Sequence, residues 1–255
     1  MIDIHSHILP GVDDGAQTID DAIAMAHAAA SEGITKIIAT PHHKNGNYEN
    51  PKQKILQHVD HLNAVLKERN IPLTVLPGQE VRIYGDILKD YENGELLTLT
   101  NESPYFFIEF PSNHVPRYAE QLLFDIQMKG LVPIIVHPER NAEISENPEL
   151  LYQFVKRGAL TQLTAASVAG YFGKKIKKFA LQTIEANLAH FIASDAHNIT
   201  NRAFHMREAY QVIKKEFGAG MVYFFHENAE LLVEGKNVDR QQPERIKKKK
   251  FLGLF

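Results

Sequence analysis

The segment IHSHILPGVDDGA, residues 4–16, sets His5 and His7 one residue apart and Asp13 beside Asp14, among isoleucine, leucine and valine. Apolar neighbours carry such a segment into a core, where polar groups need hydrogen-bond partners and charges need counter-charges or a metal. Similar groups recur along the chain: PHH supplies His42 and His43, GQE supplies Glu80, FIEF supplies Glu109, HPER supplies His137 and SDAH supplies Asp195 and His197. With Asp14, the candidate ligand set is His5, His7, Asp14, His42, Glu80, Glu109, His137, Asp195 and His197. Nine donors exceed the needs of one ion and suit two or three, provided a carboxylate bridges. Imidazole and carboxylate donors without sulfur fit manganese, iron or zinc and do not choose among them.

These residues need elements that bring them together. β-Branched runs predict strands at residues 2–7, 35–40, 73–76, 106–110, 132–136, 160–163 and 190–193. Between them, periodic apolar spacing predicts helices at 18–32, 55–66, 116–129, 148–157, 174–187 and 201–216. Thr18 is the expected N-cap of the first helix and Gly33 its stop. About seven βα units without a composition break point to a parallel sheet closed into a barrel. Six of the seven strands place His, Asp or Glu at their C-terminal ends, the face on which barrel enzymes build active sites. Residues i and i+2 of a strand project to one side, so His5 converges with His7, and Asp195 with His197. The sixth strand, LTQLT, carries no such group.

Each signal alone is weak. Histidines at strand ends often pair with backbone, and two aspartates before a glycine commonly make only a turn, which is the reading given to Asp13. His43 is left open between supporting the site and facing solvent. His58 and His61 read as solvated flanks of a helix, and His27, His114, His190, His205 and His226 show no ligand spacing. Arg140, three residues past His137, and Arg202, five past His197, add phosphate-binding capacity, since a guanidinium fork matches two phosphate oxygens.

Composition narrows the class. A chain of 255 residues, 44% hydrophobic, can bury one sizeable core. No stretch has the apolar length of a membrane span, and no basic region precedes the first strand as in a signal peptide. The absence of cysteine excludes disulfides, thiolate metal sites and a cysteine nucleophile, and makes the cytoplasm the default setting. Arg245, Lys247, Lys248, Lys249 and Lys250 concentrate positive charge at the C-terminus, so the rest is more acidic than the net −3 and poorly suited to nucleic acid. The chain divides into one domain, residues 1–237, and a polar to basic tail, 238–255.

The H-x-H start, T-P-H, G-Q-E, H-P-E-R and S-D-A-H resemble the polymerase-and-histidinol-phosphatase (PHP) superfamily. Within it, DIHSHILPGVDDGA, ATPHH, HPERN and SDAHN are similar to the manganese-dependent tyrosine-protein phosphatases of Gram-positive capsule and exopolysaccharide operons, from residue 1 to about 235. The resemblance implies a distorted (β/α)7 TIM-like barrel with three divalent ions at the C-terminal ends of the strands. It gives one ion to His5, His7, Glu80 and Asp195, a second to Glu80, Glu109 and His137, and a third to Asp14, His42 and His197. It also implies that Arg140 and Arg202 grip the phosphoryl group, and that the partner is an autophosphorylating bacterial tyrosine kinase.

The expected chemistry is in-line attack by a metal-bridging hydroxide on phosphotyrosine, without a covalent intermediate. The alternative is a small-molecule phosphomonoesterase of the histidinol-phosphatase kind, whose usual first motif lacks this D-D-G. The tail KKKKFLGLF reads either as a solvated charge run or as a weak contact with an anionic membrane through Lys247, Phe251, Leu252, Leu254 and Phe255.

Overall fold

Short apolar runs pair as parallel strands in a computed structural model, which describes residues 1–247. The strands are Ile2–Ser6 (β1), Lys36–Ala39 (β2), His42–His43 (β3), Thr74–Pro77 (β4), Glu80–Arg82 (β5), Tyr105–Glu109 (β6), Val132–Val136 (β7), Leu160–Thr164 (β8) and Phe191–Ala193 (β9). The helices are Ile19–Ser31 (α1), Lys52–Glu68 (α2), Ile87–Glu92 (α3), Ala119–Met128 (α4), Ala142–Glu146 (α5), Glu149–Lys156 (α6), Ala165–Ala169 (α7), Lys174–Glu185 (α8), Met206–Phe217 (α9) and Ala219–Val233 (α10).

One sheet runs β1-β2-β4 and the other β3-β5-β6-β7-β8-β9, every pair parallel. The two are parts of one ring. The chain passes from β2 into β3 through Pro41, which has no N–H to donate, and from β4 into β5 through Gly78. A Cβ on Gly78 would lie 2.6 Å from Ile38 Cγ2, so the β4–β5 bend sits hard against β2 and only glycine fits. At the other edge Ser6 bridges Ala196, and the N–H groups of Asp195 and His7 donate to His5 and Ala196 carbonyls. The nine segments thus occupy seven positions of a distorted (β/α)7 TIM-like barrel, as the resemblance implies.

Strand alternation divides the core. On β6 and β7, Tyr105, Phe107, Ile134 and Val136 join one cluster, while Phe106, Ile108 and Ile135 join another with Leu122, Leu123 and Ile126 of α4. The expected helical stripe Ile55, Val59, Leu62 and Leu66 is buried on α2. Thr18 caps α1 in a capping box with Asp21.

Three expectations change. The helix expected from residue 201 begins at Met206, because the chain first turns through His205, whose φ is 52°. A further helix, α10, follows, and its Ala229 and Leu232 cluster with Ile2 and Ile4 of β1. Residues 238–247, read as the start of a tail, lie along the barrel. There Val238 is buried with its N–H donating to the Tyr105 hydroxyl, and the Arg245 guanidinium lies 4.4 Å from the Tyr152 ring centre. The rest of the KKKKFLGLF tail, residues 248–255, lies outside the described residues, and with it the membrane contact read there. Among the described residues no helix is long and apolar enough to cross a membrane.

Candidate metal centre

The ring delivers its polar side chains to one rim. His5 lies in β1 and His7 just beyond it. His42 of β3 stands in register with Glu80 of β5, and Arg82 of β5 with Glu109 of β6. His137 follows β7, and Asp195 and His197 follow β9. Glu80 is the hub: its Oε2 lies 2.8 Å from His42 Nδ1, 3.4 Å from His7 Nε2 and 3.5 Å from His5 Nε2, and its Oε1 lies 2.8 Å from His137 Nε2. Asp195 Oδ1 lies 3.3 Å from His7 Nε2 and 3.5 Å from His5 Nε2. Asp14 Oδ1 comes over from the loop after β1 to within 3.4 Å of both His42 Nε2 and His197 Nε2. All nine candidate ligands therefore meet.

Their donor atoms form three overlapping groups, each within a 4.8 Å span: His5, His7 and Glu80; His42, Glu80 and Glu109; His7, Asp14, His42 and His197. His42 belongs to two of them, whereas the resemblance gave it to one ion. His137 contacts Glu80 from outside the Glu109 group.

These atoms are short of partners. His5 Nε2, His7 Nε2, His42 Nδ1, Glu80 Oε2, Glu109 Oε2 and His197 Nε2 are all buried without a hydrogen bond. Even the 2.8 Å approach of His42 Nδ1 to Glu80 Oε2 lacks hydrogen-bond geometry. Six orphaned donors around one point would each cost about 1–3 kcal/mol if left so. Divalent cations satisfy lone pairs converging in this way, so the residues fit the metal.

Protonation fits at Glu80, Asp195, His137 and His197, while the carboxylates around His7 and His42 raise those two imidazoles against the effect of burial. Burial works against charge on Glu80 and Asp195, yet the imidazoles around Glu80, and Arg140 with His5 beside Asp195, hold both carboxyls well below the usual range. Burial, with Glu80 close by, pushes Glu109 up to about 7. Burial lowers His137 and His197 to about 4, with Arg140 adding to it at the first and His7 at the second, so both imidazoles are neutral at pH 7 and free to ligate.

Residues the spacing missed hold the ligands in place. Asp13, read as a turn residue, accepts from His7 Nδ1 at 2.7 Å while its other oxygen takes the Gly15 N–H. Gly15 packs its backbone on His7 so closely that no Cβ fits. Gln162 of β8, from the strand expected to contribute nothing, accepts from His5 Nδ1 at 2.9 Å. Its inward place in LTQLT was the available signal. Glu139 is buried and accepts from Thr164 N–H and the Ser167 hydroxyl, fixing the turn that carries Arg140. Asp3 accepts from the Ser194 N–H and hydroxyl and so ties β1 to the approach to Asp195; burial lifts its carboxyl to about 6. His137 and Asp195 themselves sit in left-handed backbone, at φ 36° and 53°, which is uncommon outside glycine and concentrates at functional sites. His43 turns away, accepting the Asn50 N–H at Nδ1.

The two arginines close over the rim. Arg140 Nη1 lies 2.6 Å from Asp195 Oδ2, and Arg202 lies 3.1 Å from Asp14 Oδ2 and 3.6 Å from Asp195 Oδ2. Both line a cavity of about 490 Å³ that opens beside Glu109 and His137.

A parallel barrel with imidazoles and carboxylates gathered at its C-terminal rim defines a metal-dependent hydrolase of the TIM-barrel type. The chain belongs to the capsular polysaccharide synthesis family CpsB/CapC, whose model matches residues 1–234. It is 54% identical to the tyrosine-protein phosphatase YwqE of Bacillus subtilis, over the full length of both chains. The tyrosine-protein phosphatase CpsB of Streptococcus pneumoniae is 34% identical over 224 residues, 86% of this chain and 92% of that one. A chain from the crystal structures of YwqE and pneumococcal CpsB, described as unique metal-dependent tyrosine phosphatases, superposes with a TM-score of 0.95 at 54% identity, covering 97% of this chain and all of that one. Histidinol phosphate phosphatase of Lactococcus lactis shares the fold alone, with a TM-score of 0.53 at 12% identity over 84% of this chain and 92% of that one.

Proposed function

We infer that the protein is a metal-dependent tyrosine phosphatase serving capsule or exopolysaccharide synthesis, with manganese as its metal and three ions per chain. Its substrate on this reading is a phosphorylated bacterial tyrosine kinase. The observation that carries the reading is the set of six orphaned donors facing one another under two arginines that line a cavity.

His5, His7, Asp14, His42, Glu80, Glu109, His137, Asp195 and His197 would hold the ions. Bound divalent ions supply Lewis acidity toward a phosphoryl oxygen and lower the pKa of water to about 7. Arg140 and Arg202 bind the phosphoryl group and spread the charge its oxygens develop in the transition state. A guanidinium carries five N–H donors, and the Asp195 and Asp14 contacts leave several of them for the substrate. Asp13 and Gln162 accept from Nδ1 of His7 and His5, which leaves Nε2 of each ring as the atom that would face the ions. With no cysteine in the chain, no thiolate attacks the phosphorus. The tyrosine phenol, with a pKa of about 10, leaves more readily than the alcohol of serine, so no side chain is assigned as general acid.

The test is turnover of a phosphotyrosine peptide by purified protein, after chelation and again after manganese add-back, beside histidinol phosphate. Loss on chelation and recovery on the peptide alone support the reading. Turnover indifferent to chelation, or faster on histidinol phosphate, overturns it.

A further inference from the structure

The cavity beside Arg140 and Arg202 has a second character. Its lining is polar at Glu109, His137 and the two arginines and apolar at Phe110, Phe172 and Ile176. Phe172 and Ile176 are only half-buried, and neither belongs to the hydrophobic clusters that hold the barrel together. Their apolar surface is thus turned to the cavity rather than spent on the core.

Phe172 is also deliberately placed. It lies in the turn between α7 and α8, flanked by Gly170 at φ 110° and Gly173 at φ 92°, backbone that residues with side chains rarely adopt. Its neighbour Tyr171 points the other way and stacks on His205, ring centres 3.7 Å apart, which ties this turn to the segment carrying Arg202. The Arg140 guanidinium stands 5.7 Å from the Phe172 ring centre. A phosphoryl group held by Arg140 brings an attached aromatic ring into the cavity that Phe172 lines, where aromatic pairs form at centroid separations of about 4.5–7 Å.

We propose that Phe172 is a specificity-determining residue, forming with Phe110 and Ile176 a slot that takes the tyrosyl ring while Arg140 and Arg202 hold the phosphoryl group. This deepens, and rests on, the phosphatase reading above. The slot selects aryl over alkyl phosphomonoesters, because an alkyl chain leaves its apolar wall in water. Phe172 meets the phosphoryl group only through the Arg140 guanidinium, which Asp195 also holds, so its removal weakens binding of the aryl group more than recognition of the phosphoryl group.

Two probes that differ only in the ring, phenylphosphonate and methylphosphonate, test this with manganese-loaded full-length protein and calorimetric binding. Wild type is expected to prefer phenylphosphonate, and Phe172→Ala to lose about tenfold in affinity for it, by the worth of a stacked aromatic pair plus buried area, with a much smaller loss for methylphosphonate. Phe172→Tyr should restore the preference, and Phe172→Ala should raise KM for a phosphotyrosine peptide more than it lowers kcat. Equal losses on both probes, or an unchanged phenylphosphonate affinity, overturn the slot while leaving the phosphatase reading intact. Wild-type protein that binds neither probe overturns both.

Discussion

His7 donates from Nδ1 to Asp13 Oδ2 at 2.7 Å, and the same carboxylate oxygen also accepts the His42 N–H at 3.1 Å. One buried aspartate thus fixes a candidate ligand just past β1 and the backbone of another in β3. Although burial disfavours an ionised pair, Asp13 raises His7 well above its ordinary pKa, and His7 in turn lowers Asp13. The manganese concentration for half-maximal activation should therefore rise about 10- to 100-fold in Asp13→Ala, as for other residues that orient metal-bound histidines. A titration of activity against manganese, with circular dichroism to verify folding, checks this.

Arg140 and Arg202 contact carboxylates of the centre without belonging to any of its three donor groups. Arg140→Ala and Arg202→Ala should each lower kcat by about 10²–10³, the loss of one charge-stabilising donor, or about 2.7–4 kcal/mol. Metal content measured by mass spectrometry should stay at the wild-type level. Loss of metal together with activity would move the arginines from substrate to structure.

The site motifs were legible in the sequence because each ends a strand, and parallel strands deliver such ends to one rim. The residues that hold them were not, since their pairing depends on neighbours far along the chain. Gln162 meets His5 across 157 positions, and Asp3 meets Ser194 across 191. Asp13 looked like a turn residue and is one, its Oδ1 taking the Gly15 N–H, while its Oδ2 serves the site. The helix α10 escaped notice because its run GMVYFFHENAELLV is apolar on several sides, which blurs the helical period. The barrel was readable from alternating elements. The breaks that split two of its strands, at Pro41 and Gly78, were not.

Chelation should destabilise the protein. Without cations the rim holds Glu80, Glu109 and Asp195 close together, and burial with Glu80 nearby already pushes Glu109 up to about 7. Manganese at about 100 times its dissociation constant should restore about 2.7 kcal/mol for each site that binds only the folded chain. Scanning calorimetry in chelator and in manganese measures the gain, and Glu80→Gln, which alters the hub, should gain less than wild type.

Acid should weaken the fold through His190, remote from the rim at the start of β9. Burial, helped by Arg240, lowers its pKa from 6.5 to about 3, and its Nδ1 accepts the Thr161 N–H. A depressed folded-state pKa means the unfolded chain binds the proton first, so this stability is complete above the unfolded value and is lost as pH falls from 6.5 toward about 3. At about pH 5 the loss should approach 2 kcal/mol relative to neutral pH. Urea unfolding of chelated protein at both pH values checks it; His190→Gln should remove that share of the pH dependence.

The central claim is that Glu80 and the imidazoles around it cage several cations at one rim. Anomalous scattering at the manganese edge, from crystals grown with manganese, tests it most directly. Three peaks are expected, within bonding distance of His5 and His7, of Glu80 and Glu109, and of Asp14 and His197. Crystals saturated with manganese that show no peak at Glu80, or peaks only elsewhere on the surface, would contradict it.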